Sequence, residues 1–402
     1  MYSGYRTFFV RADTRRLLVA LAAAWLSFGM VGLAVFLTAF RAERSYGLAG
    51  VAVAAFAVGS GLLAPFRGRL VDRSSVSLPF FACGYGGMLV VFAVLAERRT
   101  GAWPLVGCAA AAGASAPPLV ASIRGCWTDV VEATLLRRAY AVTSVVGDAA
   151  LVAAPALAGL LFVASPWLPL FVCAAAAIGS ALLLAGRSRP PQQRGSLGAP
   201  VSGSLLAVSV ALGAALGLVE VTVPTAATRW GETRWSGFVL GAFALGSILG
   251  GLWFGRREWR GRASTRYLVA TLVLSAGMLP PLAARGPASL GLLLVATGLA
   301  YGPATVSLFE SLDDLGAGRA AEALAWVTSA EAAGSAGGAA SAGWIATRFG
   351  VHAPFAAGAI VLGATALAAI APRVRRAALP RAGRGRRSGC LRRSAPSCSG
   401  CT

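Results

Sequence analysis

Apolar residues run along this chain in blocks of about twenty, cut by short polar segments rich in arginine. A helix needs about 20 mostly apolar residues to cross the hydrocarbon core of a bilayer. Twelve blocks reach that length: 17–40, 47–66, 78–96, 103–123, 139–163, 166–186, 203–228, 235–254, 266–284, 288–310, 321–346 and 352–371. The pattern predicts an all-α membrane protein with 12 transmembrane helices. Arg6, Arg11, Arg15 and Arg16 precede the first block as in a signal peptide. The apolar run is too long for a signal core, and no cleavage site precedes the next block, so a retained first helix is expected.

One stretch occurs twice. Phe56–Arg73 reads FAVGSGLLAPFRGRLVDR, and Phe243–Arg260 reads FALGSILGGLWFGRREWR. Aligned without a gap, they share Phe56/Phe243, Gly59/Gly246, Ser60/Ser247, Leu62/Leu249, Gly68/Gly255, Arg69/Arg256 and Arg73/Arg260. An apolar helix followed by a tight basic turn, used in both halves, marks an internal duplication. In a membrane chain such duplication points to a transporter. The predicted units are a six-helix half at 1–186, a cytoplasmic linker at 187–202, a second six-helix half at 203–372, and a basic, disordered cytoplasmic tail at 373–402.

Composition fits this reading. The chain has 402 residues, 57% of them hydrophobic and 13% charged, where a soluble domain carries about 25% charge. The net charge of +21 would suggest nucleic acid in a soluble protein. Here the arginines lie between apolar blocks, 28 on one predicted face and 8 on the other. The positive-inside rule then accounts for the charge and puts both termini in the cytoplasm, with no nucleic-acid partner. Cys83, Cys108 and Cys173 lie in apolar runs, where cysteine behaves as a small hydrophobe, and Cys398-x-x-Cys401 lacks a second ligand pair for zinc. No nucleophile elbow or phosphate loop is present, so neither an enzyme nor a cofactor is expected.

Charge inside a bilayer is costly, so each intramembrane acid is a candidate functional group. Asp148 lies ten residues past Arg138, roughly 15 Å into its helix, near the midplane. Glu331 reaches a similar depth in the matching helix of the second half. Glu220 lies four residues before Pro224, at a place where the helix is expected to bend. Each acid has two readings: a group that exchanges protons or substrate, or a protonated acid that only ties helices together. Trp25, Phe28, Tyr301 and Trp326 are candidates to line a cavity. Small residues saturate the blocks, as in Gly213-x-x-x-Gly217 and Gly246-x-x-x-Gly250, and allow close backbone approach.

Gly68, Leu70, Asp72 and Arg73 resemble the signature G-x-L-x-D-R-x-G-R-K of the major facilitator superfamily, with Ser75, Val76 and Ser77 departing from it. The second copy keeps Gly255 and Arg256 and has Trp259 in place of the acid. The resemblance implies two six-helix halves that rock about a central site, with Asp72 locking an inner gate. Ala154, Pro155 and Gly159 resemble the family's exporter signature on its fifth helix, with alanine replacing glycine at several places. The family's arginine within the fourth helix is absent from 103–123.

Together these features lead us to expect a proton-coupled exporter of small molecules, monomeric, in the cell membrane. Nutrient uptake on the same fold is the alternative, and the absence of Asn and Gln from the spans argues against a sugar site. A non-transporting sensor is a third reading. The loop charges predict that a reporter active only in the cytoplasm is active when fused after Arg194 and inactive when fused after Arg285. Activity at both points would remove the alternation of spans.

Overall fold

The computed structural model describes residues 12–74, 76–130, 133–185, 202–257, 259–313 and 317–378. The helices are α1 (Ala12–Glu43), α2 (Tyr46–Leu62), α3 (Ala64–Arg73), α4 (Ser77–Glu97), α5 (Ala102–Ser115), α6 (Leu119–Val130), α7 (Ala133–Ala164) and α8 (Leu168–Leu184). After the linker come α9 (Gly203–Arg229), α10 (Ser236–Gly255), α11 (Ala263–Gly277), α12 (Pro287–Asp313), α13 (Ala317–Phe349) and α14 (Ala353–Ala378). Two short 3₁₀ turns, Thr233–Trp235 and Pro280–Ala283, lead into α10 and follow α11. The protein is an all-helical membrane protein. Among the described residues, nine segments are long and apolar enough to cross a membrane. The helices α2 and α8 are apolar but 17 residues long. The 33-residue α13 is built largely from Ala, Gly and Ser, which lowers its hydropathy.

Two predicted elements differ from expectation. The block 103–123 is broken at Ala116–Pro118 into α5 and α6, because a residue before proline is held out of the helical region. The signature Gly68–Arg73 does not form a turn. It lies on α3, a separate helix that starts after a break at Leu63 and carries Pro65 in its first turn, where proline costs no hydrogen bond. In the second copy the expected turn is present, following the end of α10 at Gly255.

Helix contacts repeat in two sets. In the first half α1 packs on α7 and α8, α2 on α5, and α4 on α5 and α8. In the second, α9 packs on α13 and α14, α10 on α12, and α11 on α12 and α14. The two largest crossings between the halves are α2 on α13 and α7 on α10, with smaller contacts of α9 on α1 and α2. A buried polar pair repeats as well. The Ser27 and Tyr85 hydroxyls lie 3.4 Å apart between α1 and α4, and those of Ser209 and Tyr267 lie 3.4 Å apart between α9 and α11. Both pairs have the same sequence separation of 58 residues.

The tight crossings are glycine-made. A Cβ at Gly59 would meet the Ala110 carbonyl, and one at Gly113 would meet that of Phe56, so α2 and α5 touch backbone to backbone. The α10–α12 crossing repeats this with Gly246 on Val295, Gly250 on Leu299, Gly298 on Phe243 and Gly302 on Ser247. Between the halves, Gly50 faces Ala339, Gly343 faces Tyr46, and Gly237 faces Pro155. At this end the Tyr46 ring stacks on Phe40 at 4.4 Å, and the Arg229 guanidinium lies 5.5 Å from its other contact, the ring centre. Arg229 belongs to the second half, so the two halves are closed on each other here.

At the opposite end the α2–α5 crossing is clamped by a side chain. Arg67, 4% exposed, donates from Nη1 to the Gly113 carbonyl at 2.6 Å and to that of Ala114 at 3.2 Å, and from Nη2 to the Ser60 carbonyl. These carbonyls are in the last turns of α2 and α5, where helix carbonyls run out of partners; that of Gly113 also accepts from the Ala116 N–H at 3.1 Å, and a cation there meets the negative end of both dipoles. Arg67→Gln is expected to lower stability by about 2 kcal/mol, with Arg67→Lys intermediate, read as the melting midpoint in detergent. An unchanged midpoint for Arg67→Gln would show that the clamp carries no weight.

Candidate functional site

The site is set by the α9–α13 crossing. A Cβ at Gly213 would meet the Glu331 carbonyl, and one at Gly217 would meet that of Ser335. In return Gly334 faces Val210, and Gly338 faces Ala214. Four glycines on two parallel helices thus fix the axial register of α13 against α9. Glu331 sits near the middle of α13, at the first of these contacts. Glu220 lies two turns further along α9 than Gly213, nearer the Tyr46 end. Both carboxyl groups belong to half-buried residues. Among the described residues neither has a hydrogen-bond or ion-pair partner.

Tyrosines from two other helices close on these acids. The Tyr301 hydroxyl, on α12, is within electrostatic reach of both Glu331 and Glu220. Tyr267, on α11, is fully buried and within reach of Glu331. Phe243, the first residue of the second repeat, packs on Tyr301 with ring centres 5.4 Å apart. Four helices of one half therefore deliver two carboxyls and two phenols to one locality. Tyr301 was legible as a cavity candidate. Tyr267 was not, because one tyrosine inside an apolar run carries no periodic signal. Its repeat in the Ser27–Tyr85 pair is the clue the sequence held.

The other candidates fall elsewhere. Asp148 lies on α7, and Asp72 and Arg73 on α3, but their side chains are outside the described part of the structure. Leu70 is half-buried on α3. A Cβ at Gly68 or Gly255 would meet nothing within 4 Å, so neither glycine is demanded by close packing in this conformation. Arg256 is exposed just beyond the end of α10. Ala154 is fully buried, and a Cβ at Gly29 would approach its Cβ to 2.8 Å. Pro155 and Gly159 lie where α7 meets the start of α10, and a Cβ at Gly159 would come within 3.1 Å of the Arg234 carbonyl. Trp25 and Phe28 pack edge to face at 5.6 Å on α1, and Trp326 is exposed on α13. Glu310 is not part of the site, since it holds an ion pair with Arg266 at 2.7 Å.

The family model of the major facilitator superfamily matches residues 17–321. The chain belongs to that superfamily. Among curated proteins none matches the sequence. Several solved transporters share the fold. The nucleoside transporter NupG superposes with a TM-score of 0.68 at 12% identity, covering 90% of this chain and 99% of its own. The human organic anion transporter MFSD10 (TETRAN) gives 0.61 at 17% identity, covering 89% and 100%. A bacterial homologue of the iron transporter ferroportin, in an inward-facing state, gives 0.62 at 18% identity, covering 89% and 99%. At these identities the likeness concerns the fold. As a member of the superfamily the chain is a multi-pass membrane transporter.

The register of α9 and α13 controls the site, so an added side chain at Gly213 is expected to disturb it. Gly213→Val should cost about 1–3 kcal/mol as overpacking, read as a lower melting midpoint, and should displace Glu331. Gly203→Val is the control, because a Cβ there would meet nothing within 4 Å. Equal effects from both substitutions would show that the crossing is not close-packed.

Proposed function

We propose that this superfamily member is a secondary active transporter that exports small molecules in exchange for protons by alternating access. One observation carries the reading: Glu220 and Glu331, from different helices, share the neighbourhood of one half-buried tyrosine, Tyr301. A low-dielectric site disfavours an ionised carboxyl, and access to water restores it. An acid held between two packings of the helices therefore takes up a proton in one state and releases it in the other. Two such acids beside phenols form a relay that a substrate can displace. Asp148, at a similar depth in the first half, is the proposed third acid.

In this reading residues 1–186 and 203–372 are the rocking halves, joined by the cytoplasmic linker 187–202. Asp72 and Arg73, with Gly68 and Leu70, form the gate at the Arg67 end, and Gly255 and Arg256 are its counterpart. Ala154, Pro155 and Gly159 form the sliding face of α7 on α10. The transporter acts as a monomer in the cell membrane, with both termini and the basic tail cytoplasmic. The closure at Tyr46, Gly343 and Arg229 is then at the outer side.

The test uses everted membrane vesicles with an acid interior and a panel of amphipathic dyes such as ethidium and Hoechst 33342. Dye addition is expected to dissipate the pH gradient only where the protein is present. Glu220→Gln and Glu331→Gln should each lower that proton flux at least tenfold with unchanged protein levels. Dye movement that persists at the original rate with both acids neutralised and the gradient abolished would exclude proton coupling. Gradient-driven accumulation in intact cells would reverse the direction.

A further inference from the structure

The two copies of the repeated stretch end differently, and the difference leaves a basic turn with two exposed indoles between α10 and α11. In the gapless alignment Phe254 stands where the first copy has Arg67, and Trp259 stands where it has Asp72. The first copy spends its guanidinium inside the protein, on the ends of α2 and α5. The second copy closes its helix with an indole. Trp259 Nε1 donates to the Phe254 carbonyl at 2.9 Å, and its ring stacks on the Phe254 ring at 4.7 Å and 16°.

That exchange frees the arginines. Arg256, Arg257, Arg260 and Arg262 all lie exposed on the segment between α10 and α11, whose only acidic residue is Glu258. Among the described residues none of the four forms an ion pair. The segment is nonetheless held in shape. Arg266 Nη1 donates to the Trp259 carbonyl at 2.9 Å and to that of Gly261 at 3.0 Å, and its Nη2 is anchored by Glu310. Gly261 has a φ of +99°, which a side chain would strain. Trp253 and Trp259 expose 50% and 38% of their surfaces at the membrane-proximal end of the turn, and the Arg257 guanidinium lies 4.9 Å from the Trp253 ring centre.

We propose that this turn is a binding site for the headgroup of an anionic phospholipid. Indoles settle at the headgroup level of a bilayer, between acyl chains and water. Guanidinium groups match phosphate oxygens in pairs, and basic clusters beside a membrane attract anionic lipid. Arginines that served only to orient the chain would not require a backbone fixed by three side-chain hydrogen bonds. Here the fixed backbone carries four exposed arginines on the turn that holds two neighbouring indoles, with Arg257 over Trp253, so the phosphate meets the arginines while the lipid glycerol and chains rest on Trp253 and Trp259. The site lies at the far end of α10 from its Gly237 contact with α7, and its occupancy bears on the ease with which α10 moves.

Native mass spectrometry of the purified full chain in detergent tests this, with dioleoylphosphatidylglycerol and dioleoylphosphatidylcholine as probes. The first phosphatidylglycerol is expected to bind at least tenfold more tightly than phosphatidylcholine. The combined variant Arg256→Gln, Arg257→Gln, Arg260→Gln and Arg262→Gln should lose that preference. A control with the same charge loss at the Tyr46 end, Arg98→Gln, Arg99→Gln, Arg285→Gln and Arg348→Gln, should keep it. All eight positions are exposed, so both variants should melt like the parent chain. Equal loss in the two variants, or loss in neither, would overturn the proposal, because net charge or another surface would then account for the binding.

Discussion

The structure depends on helix backbones coming into contact without side chains between them. Lipid removes the hydrophobic drive that would otherwise press helices together, so close packing has to supply the attraction. The crossings α2–α5, α10–α12, α9–α13 and α2–α13 are all made by glycine on a carbonyl. Contact of this kind has two effects. It fixes register along the helix axes, and it leaves smooth faces that can exchange partners when the halves move. The acids are placed by the first effect, because Glu331 sits at the Gly213 contact itself.

Duplication is visible at three levels. The stretches at Phe56 and Phe243 show it in sequence, the repeated helix pairings in packing, and the Ser27–Tyr85 and Ser209–Tyr267 pairs in buried polar chemistry. The candidate site follows it only in part, through Tyr267 and its counterpart Tyr85. Glu220, Glu331, Tyr267 and Tyr301 all belong to the second half. Arg67 has a phenylalanine as its counterpart, and Asp72 a tryptophan. Two tandem six-helix halves are related by an axis along the membrane normal, so the duplication equates the halves and not the two faces. Unequal side chains on equal scaffolds give each half its own chemistry.

The class of fold was legible because a bilayer imposes a length on apolar runs, and each predicted block falls on helix. Breaks were harder to place. Pro117 and Pro118 end α5 inside a block of uniform apolarity, and the break at Leu63 carries no polar mark at all. Hydropathy reports solvent, and these breaks answer to backbone geometry instead. The two acids of the second half stood out because charge is rare in such runs. The clamp at Arg67 did not, because an arginine beside a basic turn reads as one more loop charge until the carbonyls of α2 and α5 are seen around it. Tyr267 escaped for the opposite reason, since an aromatic in an apolar run looks like packing.

Tyr46 carries Phe40 on its ring and meets Arg229 across the divide between halves. Arg229 is exposed to water, and a cation over a ring in that setting is worth about 0.5–1 kcal/mol. Such a latch shifts the balance of closed and open populations by a factor of only about two to five at room temperature. It also has no strict directionality, so it survives small rotations of the ring and breaks without leaving a buried charge behind. The latch is therefore a weak bias laid over the glycine contacts that close the Tyr46 end, and a small ligand with a modest preference for the open form has enough free energy to offset the latch's share.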